Sequence, residues 1–368
     1  MSIKKQHAVV VGAGVVGLTT AIRMASEYRV TVVADRLGPE TNSALATAVW
    51  HIFLVKLDQS VSPPRDKHLD ADDRHLEWAV TTLKTLVEWA SIPGSGVELI
   101  KGIELMRRPR PSMWPAWMER ATAEPTNLHF LTVQEVASFN NYDGHCLSNT
   151  ELSSLKSNPV RYGYKITVPA ACMVTHLDWL MSQAAATGAS FVRRRLYGIE
   201  HAGQDIGDLR PDIIVNCTGL EAAQYVGDQE FCAFRGEYFV VPSNASTPKC
   251  YIGDDDHPAG MAYAIPRLGK VIVGGMAVAH TENSAPLDWE DTRQRASLYF
   301  PWLKSESVRP NANEPVVCLR PVRANGVRLE TELRNGLPPL IHNYGHGGSG
   351  WSMCWGCAGE VLNLARGI

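Results

Sequence analysis

The chain has 368 residues, of which 45% are apolar and 20% charged, and its formal net charge is −3. That length is comfortable for two compact domains, and the composition is that of a globular protein rather than a disordered or fibrous one. The small net charge argues against nucleic acid or an anionic membrane as partner, and no apolar stretch approaches the ~18 residues of a membrane span.

The apolar run Ala8 to Leu18 follows Lys4 and Lys5, but three glycines interrupt it and it does not read as a signal peptide. The C-terminal Ala365-Arg366-Gly367-Ile368 is not a Ser-Lys-Leu type of address. Eight scattered cysteines are too sparse for a disulfide scaffold. Cys354 and Cys357 have CxxC spacing, yet no second ligand pair for zinc follows, so buried structural thiols and a cytoplasmic location are expected. Arg193-Arg194-Arg195 reads as a solvated strand edge.

In chain order, His7 to Val11 predicts a strand, Gly12-Ala13-Gly14 a tight turn, Val15 to Glu27 a helix, and Val30 to Ala34 a second strand ending at Asp35. Residues 36–72 are loop-rich. A helix is predicted over Asp73 to Ala90, stopped by Pro93-Gly94, then a strand over Val97 to Met106. Pro109-Arg110-Pro111 and Pro115 mark a turn. Thr132 to Glu135 is a capping box, and residues 140–160 read as a surface loop. Thr175 is the predicted N-cap of helix 176–186, which ends at Gly188. Strands are expected at Ser190 to Arg194, Asp212 to Asn216, Glu237 to Val241, Met261 to Ile265 and Lys270 to Ala277, the last two as a hairpin across Arg267-Leu268-Gly269. Val316 to Leu319 and Leu340 to Asn343 are further strands. A glycine-rich turn, Gly345 to Gly350, precedes a helix to Arg366. Elements of α/β type thus occupy both ends with β-rich material between, as in a nucleotide domain assembled from distant segments around an inserted second domain.

Gly12-Ala13-Gly14-Val15-Val16-Gly17 fits GxGxxG. The pattern alone is weak, but here it follows an apolar strand, opens a helix and precedes an acid at the next strand's end. Gly12 permits the turn, Gly14 lets the backbone approach a pyrophosphate, and Gly17 lets helix and strand pack closely. The helix N-terminus offers N–H groups and partial positive charge to phosphate. Asp35 can accept both ribose hydroxyls, which disfavours NADP. A glycine turn that binds nothing is disfavoured with strand, helix and acid in register. The motif does not separate NAD from FAD.

Wider motifs do. Val32-Val33-Ala34-Asp35-Arg36, Val49-Trp50-His51, Asn216-Cys217-Thr218-Gly219, Phe234-Arg235-Gly236, Leu319-Arg320-Pro321-Val322-Arg323, His342-Asn343-Tyr344-Gly345-His346-Gly347-Gly348 and Trp355-Gly356-Cys357-Ala358 resemble, in family order, signatures of the D-amino-acid oxidase family. The resemblance covers nearly the whole chain. It implies an α/β fold: a Rossmann-type FAD-binding domain of discontinuous segments (1–50, 185–225 and 319–368) with an inserted α+β substrate domain (mainly 51–184 and 226–318). It implies noncovalent FAD, with Asp35 on the adenosine ribose, Arg36 near the phosphates and Thr41, Asn42 and Ser43 adding polar contacts. Thr47, Ala48, Val49, Leu196, Cys217, Thr218 and Gly219 extend the cofactor-binding set. Gly347, Gly348, Ser349, Gly350, Trp351 and Ser352 would surround the flavin, largely through backbone groups.

The family's reaction is hydride transfer from a D-amino acid's Cα–H to flavin N5, with reoxidation by dioxygen to hydrogen peroxide and hydrolysis of the imino acid to a 2-oxo acid. On matching positions, Arg320 would clamp the α-carboxylate through its planar fork, Tyr263 would add a hydrogen bond, and the Gly348 carbonyl would accept from the amine. A surface ion pair for Arg320 and a half-buried strand tyrosine for Tyr263 are the plainer readings. His342 and His346 read as scaffold for the glycine turn rather than as general bases. The expected partners are a small amino acid and dioxygen, with a homodimer left open.

The chain departs from the family's pattern. Ala259 replaces a lid tyrosine, His51-Ile52-Phe53 follow Trp50 in place of Gln-Pro-Tyr, Glu237 replaces a glutamine, and Ser349 and Trp351 follow Gly348 in place of tyrosine and leucine. These changes leave the side-chain preference open. Oxidation of acidic D-amino acids (D-aspartate, D-glutamate) would need a second pocket cation, with His51 and His257 as candidates. A specialised biosynthetic amine oxidase, a NAD-dependent dehydrogenase and a non-catalytic flavin-binding protein are further readings. The C-terminal signatures argue against the dehydrogenase, and the retained Arg320 and Tyr263 argue against a decayed pocket.

Overall fold

The computed structural model describes residues 5–53, 57–58, 65–66, 73–107, 126–141, 149–202, 210–245, 247, 249–267, 269–280 and 285–368. The chain opens as a βαβ unit. β1 (His7–Ala13) is a continuous apolar strand, α1 (Val15–Met24) follows its glycine turn, and β2 (Arg29–Leu37) returns parallel to β1. Two short strands, β3 (Leu57–Asp58) and β4 (Arg65–Asp66), pair antiparallel. α2 (Asp73–Ala90) carries Leu76, Leu83 and Leu86 on its buried side.

β5 (Val97–Met106) and β6 (His129–Phe130) come next, then α3 (Val133–Phe139), α4 (Asn149–Ser157) and β7 (Tyr162–Ala171). The Thr132 hydroxyl accepts from Glu135 N–H at 3.3 Å and the Glu135 carboxylate accepts from Thr132 N–H at 2.8 Å, so the expected capping box forms. The expected loop over 140–160 is corrected by α4, whose polar sequence has too few apolar residues to show a buried face. Residues 142–148 and the proline turn at 109–115 lie outside the described residues.

α5 (Met173–Ala186) starts earlier than its predicted cap, with Cys172 rather than Thr175 at the N-cap. Tertiary bonds set that start: Cys172 N–H donates to Gly96 O at 2.9 Å, and His176 Nδ1 pairs with Ser95 O at 2.8 Å. β8 (Ser190–Arg193), β9 (Ile213–Asn216), α6 (Ala222–Val226) and β10 (Phe231–Pro242) follow. β10 begins six residues before the predicted Glu237. Then come β11 (Cys250–Asp254), β12 (Ala262–Arg267), β13 (Lys270–Gly274), β14 (Val278–Ala279) and α7 (Trp289–Ser297). β12 and β13 form the expected antiparallel pair; Leu268 between them lies outside the described residues. β15 (Val316–Arg323), β16 (Arg328–Glu332), β17 (Leu340–Tyr344) and α8 (Gly350–Arg366) close the chain.

These elements divide into two compact units: residues 1–98, 170–234 and 319–368, and residues 99–169 with 235–318. Residues 51–98 thus group with the first unit, where the sequence had placed them with the second. The first is built on a six-stranded sheet in the order β16-β17-β9-β1-β2-β8, parallel from β17 to β8 with β16 antiparallel at one edge. Its core includes Val9, Val11, Val33, Ile214 and Leu340. On the opposite edge, Arg193 is exposed and pairs with Glu40 through two bonds of 2.7 Å. The second unit is built on a nine-stranded sheet ordered β14-β10-β13-β12-β11-β5-β7-β6, with β15 pairing β10. α7 covers one face of it, packing Ala296 with Tyr299, Phe300 and Leu303 against Ala262, Ala264, Val271 and Val273.

Candidate active site

In the first unit the glycine motif lies where β1 gives way to α1. Gly12 has φ +109°, and a Cβ there would overlap the carbonyl oxygen of Cys217, just past the end of neighbouring β9. A Cβ on Gly17 would overlap the Gly12 carbonyl. These two glycines are therefore fixed by close backbone approach. Gly14 is the N-cap of α1, which has neither a side-chain cap nor an acid in its first turn. A Cβ on Gly14 would come within 2.8 Å of Ser43 Oγ, and that hydroxyl accepts from Val15 N–H at 3.1 Å. A helix N-terminus with no side-chain cap from its own N-cap residue and no acid in its first turn, bordered by a glycine, fits a pyrophosphate. Asp35, near the end of β2, keeps its carboxylate half exposed, as a ribose acceptor requires.

Other predicted residues are engaged in the frame. Arg36 Nη2 donates to Glu221 at 2.8 Å. Thr41 Oγ1 donates to Gly38 O at 2.6 Å. Asn42 brackets Leu319, donating Nδ2–H to its carbonyl at 2.7 Å and accepting its N–H at 3.4 Å. Thr47 is half-buried, Ala48 has φ +47° with its carbonyl accepting from Ala171 N–H, and Val49 bridges to Ala170. The Leu196 side chain lies in the sheet's core. Cys217 is buried, its thiol pushed up to about 12 by desolvation, and Thr218 donates both N–H and hydroxyl to Asn216 Oδ1.

The second glycine turn has φ +82° at Gly345 and +57° at Gly347, and it leads through a 3-10 turn, Gly347–Ser349, into α8. A Cβ on Gly348 would stand 2.6 Å from the Phe53 ring. The Ser349 hydroxyl accepts from Phe53 N–H at 2.6 Å and donates to Phe53 O at 2.9 Å, while Ser352 Oγ accepts from His51 N–H at 3.1 Å. These serines thus bind residues 51–53 to the turn. The Arg320 guanidinium lies 5.4 Å from the Phe53 ring centroid. Phe53, which the sequence marked only as a departure, is the platform that joins Arg320 to Gly348. Half-buried Gly350 opens α8, and Trp351 is buried edge-on to His176, their ring centroids 6.1 Å apart.

In the second unit Tyr263 on β12 is buried, and its ring lies over Gly274 at the end of the neighbouring strand β13 and over Gly275 just beyond it. A Cβ on Gly274 would reach 2.5 Å from the Tyr263 hydroxyl. Ala259 N–H donates to His257 Nδ1 at 3.2 Å. Burial, with Arg107 and Arg295 adding to it, lowers His257 to about 3. A neutral His257 does not supply the cation that an acidic side chain would need. Glu237 pairs with Arg235 and accepts from Leu287 N–H.

The predicted scaffold histidines are buried. His342 Nε2 pairs with Glu332 at 3.0 Å. His346 is lowered to about 3 by burial and then by His75, and His176 to about 4 by burial. His176, His257 and His346 are thus neutral when folded and ionise near ~6.5 when unfolded. Their contribution is complete above ~6.5 and lost as pH falls toward the folded values, by up to about 1.4 kcal/mol per histidine per pH unit. Thermal unfolding measured from pH 7.5 to 4.5 is expected to show Tm falling steadily below pH 6.5; a flat profile to pH 5 would contradict this. Cys354 and Cys357 are fully buried, with thiols pushed up by desolvation, and neither is disulfide-bonded.

Residues 7–364 match the family described as FAD dependent oxidoreductase. A D-amino-acid oxidase of Rubrobacter xylanophilus is 32% identical, the match covering 98% of this chain and 95% of that protein. The human D-aspartate oxidase is 28% identical, with 96% and 93% covered. Among solved structures, glycine oxidase from Bacillus cereus superposes with a TM-score of 0.66 at 16% identity, over 99% of this chain and 95% of that one. The glycine cradle and a family match running almost from end to end lead to one assignment: this chain belongs to the FAD dependent oxidoreductase family, and its cofactor is FAD.

Proposed function

We propose that this protein is a D-amino-acid oxidase, taking a D-amino acid to its imine, which water hydrolyses to the 2-oxo acid. The observation that carries the reading is Arg320 held over Phe53 beside Gly348, in a chain whose full-length relatives include proteins named D-amino-acid oxidase. FAD, held by the α1 N-terminus and Asp35, would supply a two-electron acceptor that dioxygen can reoxidise, with hydrogen peroxide as the product.

The chain's own residues bind and orient. Arg320 receives the α-carboxylate through two parallel N–H bonds, a geometry that a lysine cannot reproduce. Tyr263, on the second unit, is the further carboxylate-binding hydroxyl that the family likeness implies. The Gly348 carbonyl accepts from the amine, so that Cα–H has one allowed direction. Asp35 accepts the ribose hydroxyls, and the α1 N-terminus holds the phosphates. The first unit is mainly cofactor-binding in this reading, and the second mainly substrate-binding. His346, lowered to about 3, is too weak a base at neutral pH to serve as general base.

The test is anaerobic addition of D- and L-amino acids to the yellow holoprotein, followed by readmission of air. Bleaching of the flavin band by D-isomers alone, with peroxide on reoxidation, is expected. Bleaching by L-isomers, or by no amino acid, would overturn the reading. D-aspartate belongs in the panel because of the human relative; a poor rate is expected with His257 neutral.

A further inference from the structure

The face of the second unit's sheet that carries Tyr263 has an order the sequence does not reveal. Register partners place Tyr238 beside Gly274, Gly274 beside Tyr263, Tyr263 beside Gly253, and Gly253 beside Glu104. Partners in register project to the same side of a sheet. The opposite side holds Ala262, Ala264, Val271 and Val273 under α7. Along the Tyr263 side, large side chains lie down over glycines of the next strand. Tyr263 covers Gly274, and Tyr251 covers Gly102. Glu104 covers Gly253, where a Cβ would meet its carboxyl oxygen at 2.7 Å. The result is a low floor with Tyr263 two strands, about 10 Å, from Glu104. The Glu104 carboxyl leans one strand over to Gly253 and the Tyr263 ring leans one strand the same way over Gly274, so carboxyl and hydroxyl remain two strands, ~10 Å, apart.

Glu104 has no basic partner among the described residues. The groups acting on it are the Tyr251 hydroxyl, which hydrogen-bonds to it, and the acids Asp255 and Asp254. Asp254 is itself paired with buried Arg107 at 2.8 Å, so that guanidinium is already committed. Residue Glu104 as a whole is half-buried. An acid in that setting, with acids acting on it and no basic partner among the described residues, on the floor beside the proposed carboxylate-binding tyrosine, offers a place to a cation from outside.

We infer that Glu104 sets substrate specificity, receiving the terminal nitrogen of D-amino acids with a cationic side chain, such as D-lysine, D-ornithine and D-arginine. This rests on the oxidase reading above. Desolvation, Asp255 and Asp254 push the Glu104 carboxyl up to about 8, so that it is largely protonated at neutral pH without a ligand. An arriving ammonium restores its charge, and the proton leaves to solvent. A neutral side chain of equal length gains nothing from this.

The experiment compares D-lysine with D-norleucine, which has the same chain without the terminal nitrogen, in the holoenzyme and in Glu104→Gln, with FAD absorbance as the check on folding. The wild type is expected to favour D-lysine in kcat/KM by about 10-fold or more. The D-lysine to D-norleucine ratio should fall about 10- to 100-fold in Glu104→Gln, the worth of one charged hydrogen bond, and recover in part in Glu104→Asp. A purely structural carboxyl would lower both substrates together and leave the ratio unchanged, which would overturn the inference. Should Glu104→Gln lose its flavin, the wild-type ratio alone decides: equal turnover of the two substrates overturns it. Oxidation of neutral D-amino acids without a gain for D-lysine removes this inference and keeps the oxidase. Absence of turnover with every D-amino acid removes both.

Discussion

Arg320→Ala is expected to raise KM for α-carboxylate substrates about 100- to 1,000-fold while FAD stays bound. Truncating one side of a desolvated, bidentate charge pair costs about 3–4 kcal/mol, which corresponds to that factor. Two observations place the loss in binding rather than in folding. Arg320 rests on the Phe53 ring, and Phe53 is held independently by Ser349. Asn42 brackets the preceding residue, Leu319, so the strand keeps its course without the guanidinium. Arg320→Lys should recover only part of the loss, because a point charge does not match two oxygens. The measurement is steady-state oxygen consumption against substrate concentration, alongside the flavin spectrum. Unchanged KM would remove the clamp assignment; loss of flavin would make Arg320 a structural residue.

Gly12→Ala is expected to yield protein that retains little or no FAD and melts about 10 °C lower, or fails to accumulate in soluble form. Two costs add. A φ of +109° is strained for any residue with a Cβ, and that Cβ would overlap the Cys217 carbonyl. The obstacle is backbone held in the central sheet, because Cys217 N–H donates to Val11 O at 2.8 Å, so it does not yield as a side chain would. Gly336→Ala is the matched control. Its φ is +71°, yet nothing lies within 4 Å of its Cβ position, so only conformational strain of about 1–2 kcal/mol is expected there and FAD is retained. Similar FAD content in the two variants would show that close approach at Gly12 is not what shapes the cradle.

The nucleotide-binding half of this protein was legible because its signals are local. A run of valines, a glycine turn, a 3.6-residue period and an acid at the next strand's end all fall within the first forty residues, and α2 appears at its predicted limits, Asp73–Ala90. What escaped depends on tertiary partners. β7 contains Lys165 and Pro169 and has no clean alternation, and it forms where neighbouring strands supply its bonds. α7 opens with Trp289-Glu290-Asp291, so its short apolar side shows only against β12 and β13. In the site, the first glycine turn stood out by its motif in register with strand, helix and acid, while Arg320, Tyr263 and the second glycine turn stood out by likeness to a family. The Phe53 platform and the row from Tyr263 to Glu104 did not, because both are set by register between segments far apart in the chain.

The three-part construction of the first unit bears on how the protein is made. β1 is flanked by β2, which follows at once, and by β9, some two hundred residues later. β9 in turn pairs with β17, and the α1 hydroxyl of Thr19 reaches Cys354 O on α8. At ~5–20 residues per second, a ribosome takes roughly 20–70 s to travel from β1 to α8. For roughly the first 10–40 s of that interval, until β9 is made, the buried strand β1 has only one of its neighbours, and the second glycine turn is absent until α8 is reached. Flavin capture is therefore confined to the finished polypeptide, and slow, chaperone-assisted expression at low temperature should raise the holoprotein yield more than adding FAD to the growth medium.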